Sequence, residues 1–208
     1  MTHRFADIAF TDAVKAAQTH YGTRPQVARM AQHGGPNDRL GAREIAFIAA
    51  RDSFYMATVS ETGWPYLQHR GGPAGFLKTV DACTLAFADF GGNRQFVSVG
   101  NAARNDRVSL FLMDYANRRR LKLLGHLTMS DVGDAPPALV AQVALPGYEA
   151  QIERLAVVRI EAFDWNCPQH ITPRHTAAEW RSATQPLHDR IAALERELAE
   201  LRAVATGQ

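Results

Sequence analysis

The chain has 208 residues, 46% of them hydrophobic and 21% charged, which is enough for one domain with a sizeable core and an ordinary balance for a soluble globular protein. A formal net charge of +2 leaves no basic stripe of the kind nucleic acid selects, and no apolar run reaches the ~18 residues that a membrane-spanning helix needs. Two cysteines, Cys83 and Cys167, make no disulfide framework, and residues 1–15 carry Arg4, Asp7, Asp12 and Lys15 in place of an apolar leader, so a cytoplasmic protein with reduced thiols is expected.

Residues 5–20 suit a helix, with Thr11 as a cap and Phe10, Val14 and Ala17 on one side. Gly22 and Pro25 end it, and a loop with Gly34, Gly35 and Pro36 follows. Residues 41–51 form a second short helix with Ile45, Ile48 and Ala49 on its buried face. From residue 54 the pattern is β. Residues 55–59 alternate and are rich in strand formers, Ser60-Glu61-Thr62-Gly63 is a turn, and residues 64–69 return. Residues 85–90, 107–114, 120–129 and 157–163 read as further strands, with a bulge at Gly125. Residues 101–106 read as one helical turn, and residues 136–143 and 148–155 as helical. The expected fold is mainly β with flanking helices, a six- to seven-stranded antiparallel barrel. The boundaries follow: a helical segment over 1–53 that covers the barrel, a barrel domain over 54–183, and a tail over 184–208. In the tail Leu187, Ile191, Leu194, Leu198, Leu201 and Ala205 are spaced 4, 3, 4, 3, 4, with charged residues between them. This is an amphipathic helix with a coiled-coil seam, able to zip with a second copy or to lie on the barrel.

Three polar segments interrupt the apolar runs. Residues 68–76, Q-H-R-G-G-P-A-G-F, pair an Arg suited to phosphate with glycines that let backbone approach a ligand. Residues 93–101, N-R-Q-F-V-S-V-G-N, place a hydroxyl, amides and glycine at the start of a helical turn, where a phosphate is well received. Taken alone, each also reads as an ordinary barrel corner or a capped connection. Residues 165–175, W-N-C-P-Q-H-I-T-P-R-H, hold an aromatic, amides, two histidines and an Arg between prolines. Cys167, His170 and His175 lack the paired ligands of a zinc site, so no metal is expected, and nothing marks Cys167 as an activated nucleophile.

Over roughly residues 40–175 the chain resembles the pyridoxamine 5′-phosphate oxidase-related proteins, which have the FMN-binding split-barrel fold. The resemblance rests on D-S-F-Y-M-A-T-V-S-E-T-G-W-P-Y, on Q-H-R-G-G-P-A-G-F, on N-D-R-V-S-L-F-L-M-D-Y followed by R-R-R-L-K-L-L-G, and on W-N-C-P-Q-H-I-T-P-R. It implies a homodimer with two FMN sites at the subunit interface. Carried over by position, Gln68, His69, Arg70 and Gly75 lie along the flavin and its phosphate, and Ser98 and Asn101 form the phosphate-binding turn. Arg119 and Arg120 match an Arg-Gln pair, with Arg120 in place of the Gln. Trp165, Gln169 and Arg174 come from the other subunit. The family's vitamin B6 oxidases carry an Arg-x-His element after the C-terminal Trp; here His170 and Arg174 are spaced differently, so that substrate is not expected. The implied activity is an FMN-dependent oxidoreductase on a small molecule, with NAD(P)H as a candidate donor. The alternatives are a non-catalytic flavin-binding module (carrier, store or sensor) and a split barrel that binds deazaflavin or haem.

Overall fold

The computed structural model describes residues 3–165 and 168–206. Four helices precede the first strand: α1 (Arg4–Ala9), α2 (Asp12–His20), α3 (Arg24–His33) and α4 (Ala42–Ala49). The single helix expected over 5–20 is broken, because Thr11 adopts extended backbone and its Oγ1 accepts from Val14 N to start α2 afresh. Pro25 does not close a helix. It occupies the first turn of α3, where its missing N–H costs nothing. In α4 the buried side chains are Glu44, Phe47 and Ile48, whereas Ile45 is exposed. The helix is rotated from the expected face so that Glu44 can accept from Gly41 N at 3.0 Å and close the first turn.

Seven antiparallel strands follow: β1 (Ser53–Val59), β2 (Pro65–Gly71), β3 (Lys78–Asp81), β4 (Thr84–Phe90), β5 (Arg107–Asp114), β6 (Arg119–Asp131) and β7 (Ile152–Trp165). They form one sheet in the order β2-β1-β5-β6-β7-β4-β3. Helix α5 (Val97–Arg104) lies between β4 and β5, and α6 (Pro137–Val143) between β6 and β7. The strand β3 is short and has no apolar alternation, so it escapes a pattern reading. Residues 152–155, expected to be helical, are strand. Phe90 pairs with Ile152 and Asp89 with Arg154, so β4 captures that segment.

The sheet curls into a split barrel around a core that includes Phe54, Met56, Phe76, Phe87, Leu110, Leu112, Leu121, Leu123 and Val158. Phe54 stacks on Phe76 at 5.6 Å and meets the edge of Phe87 at 5.3 Å. The continuous apolar run of β4 is explained by burial on both faces. Leu85 and Phe87 join the barrel core, while Ala86 and Ala88 pack in a second cluster with Ala135, Val143 and Leu155. Between β6 and β7 the register shifts at Gly125, so that Glu161 is the extra residue of β7. A Cβ at Gly125 would collide with the Arg159 carbonyl, and glycine is required there.

By compactness the chain divides into two units, residues 1–114 with 119–169, and residues 115–118 with 170–208. The second unit contains α7 (Ala177–Thr206), a helix of 30 residues with Pro186 inside it. No helix among the described residues is long and apolar enough to cross a membrane.

Candidate functional site

Strand periodicity separates the first expected cluster. On β2, Tyr66, Gln68 and Arg70 are half-buried, whereas Leu67 and His69 are exposed on the opposite face. Arg70 pairs with Phe54 of β1 and so lies on the core side, at the rim of the barrel. His69 pairs with Tyr55 on the outer face, ring to ring at 5.7 Å. The contiguous triplet Gln68-His69-Arg70 therefore serves two surfaces.

On the core side a cleft of about 180 Å³ opens between β2, the end of β4 and the start of α5, with Gln68, Arg70, Asp89, Phe96 and Ser98 in its wall. Asp89, 3% exposed, is clasped by two guanidiniums. Arg70 Nη1 donates to Asp89 Oδ1, and Arg154 Nε donates to Oδ2 at 2.7 Å. Arg154 also donates to Glu153 at 2.9 Å. Burial opposes the charge of Arg154, but Asp89 and Glu153 outweigh it and hold the group above its ordinary pKa. The clasp joins β2 to β4, which are not neighbours in the sheet, across the split.

The far wall of the cleft is backbone. Arg94 and Phe96 both have positive φ, at 59° and 52°, costly for side-chain-bearing residues. Phe96 in the left-handed region followed by the helical Val97 is the backbone pairing of an anion-binding nest, and both residues line the cleft. α5 has no side-chain cap, so its first N–H groups are left without that acceptor. Ser98 Oγ donates to Gln68 Oε1 at 2.9 Å, tying the helix start to β2. Asn101 is not in the cleft wall. Its Nδ2 donates to Thr58 Oγ1 at 2.9 Å in a buried contact behind the site. Gly75, with φ 80°, is also structural: its N–H donates to Arg51 O at 3.0 Å, and a Cβ there would press on the Ala49 carbonyl.

On the outer face Arg120 is opposite Met113 and lies with its guanidinium 5.9 Å from the Phe111 ring. Among the described residues, two buried side-chain nitrogens have no hydrogen-bond partner: Nε of Arg70 and Nε of Arg120. A buried donor left unpaired costs ~1–3 kcal/mol, and satisfying either takes an acceptor that the described residues do not supply. Both residues were singled out from the sequence.

The remaining expected residues gather elsewhere. Trp165 Nε1 donates to Glu44 Oε1 at 2.7 Å, its ring meets the edge of Phe47 at 4.8 Å, and the guanidiniums of Arg43 and Arg119 lie 4.2 and 5.1 Å from it. Trp165 and Arg119 thus form an aromatic-cation cluster with α4. Gln169 is exposed in a turn. Arg174, in the second unit, has its guanidinium 5.0 Å from the Tyr115 ring. Asn166 and Cys167 lie outside the described residues. Two residues of the clasp were not anticipated. Asp89 was hidden inside the apolar run L-A-F-A-D-F, where a lone carboxylate in a buried strand is itself the signal; Arg154 was missed because its segment was read as helix.

The solved structures that are similar include HupZ of Group A Streptococcus, at 12% identity, covering 65% of this chain and 100% of that one with a TM-score of 0.49. An FMN-binding protein of Syntrophomonas wolfei is similar at 11% identity, over 72% of this chain and 97% of that one, with a TM-score of 0.47. A protein of Clostridium acetobutylicum related to general stress protein 26, of the pyridoxinephosphate oxidase family, is similar at 13% identity over 61% and 86%, with a TM-score of 0.43. At these identities and scores they carry no inference about ligand or activity. No curated protein matches the chain. The family model for pyridoxamine 5′-phosphate oxidase matches residues 43–165, more than half of the chain and all seven strands described. The chain belongs to the pyridoxamine 5′-phosphate oxidase family.

Proposed function

We propose that the protein binds FMN in the cleft between β2 and α5, in a site completed by a second copy of the chain, and that it is a flavin-dependent oxidoreductase on a small molecule. The observation that carries this reading is the buried, partnerless Nε donor of Arg70 in the wall of that cleft, a residue that the family resemblance carries over as a flavin contact. The donor set fits the group. A dianionic phosphate needs cations and converging N–H groups, and Arg70, the Phe96–Ser98 backbone and the uncapped start of α5 supply them. The 180 Å³ cleft is smaller than the ~300–1,000 Å³ usual for such ligands, as expected if one chain supplies part of the wall. The half-exposed outer face of β1, β2 and β5, with Leu67 at 64% exposure, is apolar enough to be covered by that second copy.

FMN, when bound, supplies the electron transfer itself. The residues of the chain do the rest. Asp89 fixes the direction of Arg70. Ser98 holds Gln68 toward the cleft. Arg120 offers a donor on the outer face, with His69 and Tyr55 beside it on the same face. A hydrogen-bonding role suits His69, since no carboxylate among the described residues orients it as a general base.

The test is FMN titration of the purified protein and of Arg70→Ala, followed by flavin fluorescence. A phosphate contact predicts a loss of ~1.5–3 kcal/mol in the variant, about 10- to 150-fold in Kd. Unchanged affinity would sink the assignment of Arg70. Mixing the loaded protein with NADH or NADPH then separates enzyme from carrier. Bleaching faster than that of free FMN supports turnover; bleaching at the free rate favours a non-catalytic flavin module.

A further inference from the structure

The helix α7 presents a feature that the flavin reading does not use. Leu187, Ile191, Leu194, Leu198 and Leu201 are 45–65% exposed along one stripe of a 30-residue helix. With Ala205 they occupy alternating d and a positions of a heptad, Leu187, Leu194 and Leu201 at d and Ile191, Leu198 and Ala205 at a. A helix of this kind gains its stability in water from covering the stripe. The charges that flank it state what covers it. Arg190 and Glu197 are at g, and Glu195 and Arg202 at e.

We infer that α7 pairs with α7 of a second copy as a parallel, in-register two-stranded coiled coil. In that arrangement each g residue faces the e residue five positions later on the other helix. Arg190 meets Glu195 of the second copy, and Glu197 meets Arg202 of the second copy. Both pairs are of opposite sign, and symmetry gives each twice. The antiparallel arrangement that keeps all six seam positions brings Glu195 against Glu195 and Glu197 against Glu197, which is repulsive. Shifting that arrangement by one heptad relieves the repulsion but sets Leu201 against the polar Thr184 and Ala205 against Trp180, on the far side of Pro186. Charge and seam composition together thus favour one orientation and one register. Leu at all three d positions, with Ile191 at a, also suits two strands. A parallel pair has its twofold axis along the coil, so it closes a C2 dimer with no surface left to propagate. This inference stands on α7 alone and does not depend on flavin binding.

The experiment uses the full chain carrying Leu201→Cys, oxidised mildly and resolved without reductant, with the parent chain as the control for Cys83 and Cys167. The parallel register predicts covalent dimer well above the parent, because both Leu201 positions share one seam layer. It also predicts that Glu197→Arg lowers this yield several-fold and that adding Arg202→Glu restores it, since the reversed pair is again of opposite sign. An equimolar mixture of Ile191→Cys and Leu201→Cys chains reports the antiparallel layer. Preferential cross-linking between those two chains would overturn the proposal. So would a Leu201→Cys yield no higher than the parent's, or one indifferent to Glu197→Arg. FMN titration of the same variants separates this failure from failure of the flavin reading, because none of these residues lies in the cleft.

Discussion

Asp89 is the residue on which the cleft depends. It is almost fully buried between Arg70 and Arg154, and its carboxylate makes two charged strands tolerable at one rim. Removing it leaves Arg70 without its counter-ion and Arg154 with Glu153 alone. Asp89→Ala is therefore expected to cost ~3–5 kcal/mol in urea unfolding, the range for breaking a buried pair. Arg70→Ala should cost far less, because Arg154 still pairs with Asp89. A variant pair with equal losses would contradict this ordering. Trp165 tests the second cluster. Trp165→Phe keeps an aromatic ring against Phe47 but leaves the nearly buried Glu44 Oε1 without its donor. A loss of ~1–3 kcal/mol in chemical denaturation is expected, with no change if the hydrogen bond is dispensable.

At the scale of elements, the close approach of β6 and β7 at Gly125 is the least forgiving point. Gly125→Ala puts a methyl group against the Arg159 carbonyl and should destabilise by ~1–3 kcal/mol, read as a lower urea midpoint. α1 is fastened to β7 by Arg4 and Glu161, 3.0 Å apart. The Arg4 hydrogen bond is the largest influence on Glu161 and holds its carboxyl below the usual value. A depressed carboxylate stabilises the fold at pH above its unfolded value and loses that contribution as pH falls through the folded one. Arg4→Ala should thus cost ~0.2–1 kcal/mol near neutrality, and the difference from the parent should vanish toward acid. A difference that stays constant with pH would refute the link. These elements also show what the sequence could reveal. The strands at 55–59, 85–90 and 107–114 announced themselves because one or both faces are apolar. β3 and the start of β7 did not, since pairing with β4 rather than local pattern makes them strand. The Pro25 helix was missed because a proline stops one helix and starts another with equal ease. Arg70 and Ser98, picked out by residue type, line the cleft, and Arg120 holds an unpartnered Nε on the outer face; Asn101 and Gly75 matched a pattern whose structural use here is internal. His69 lost its place beside Arg70 to the simple alternation of a strand.

For the whole molecule, one chain supplies a rim of basic groups, a backbone nest and a cleft of about 180 Å³. Leu67 on the outer face of β2 and the apolar stripe of α7 are both exposed. If the flavin site spans two chains, cofactor binding and dimerisation are linked equilibria, and each strengthens the other. Dilution should release FMN, and excess FMN should hold the dimer together at lower protein concentration. Sedimentation velocity of the purified protein with FMN, recorded both in the protein band and in the flavin absorption band, reads the two together. The predicted result is flavin absorbance moving with the dimer at one FMN per chain and absent from any monomer boundary. Flavin that sediments with the monomer, or that stays at the rate of free FMN at every protein concentration, would contradict a site shared between two chains.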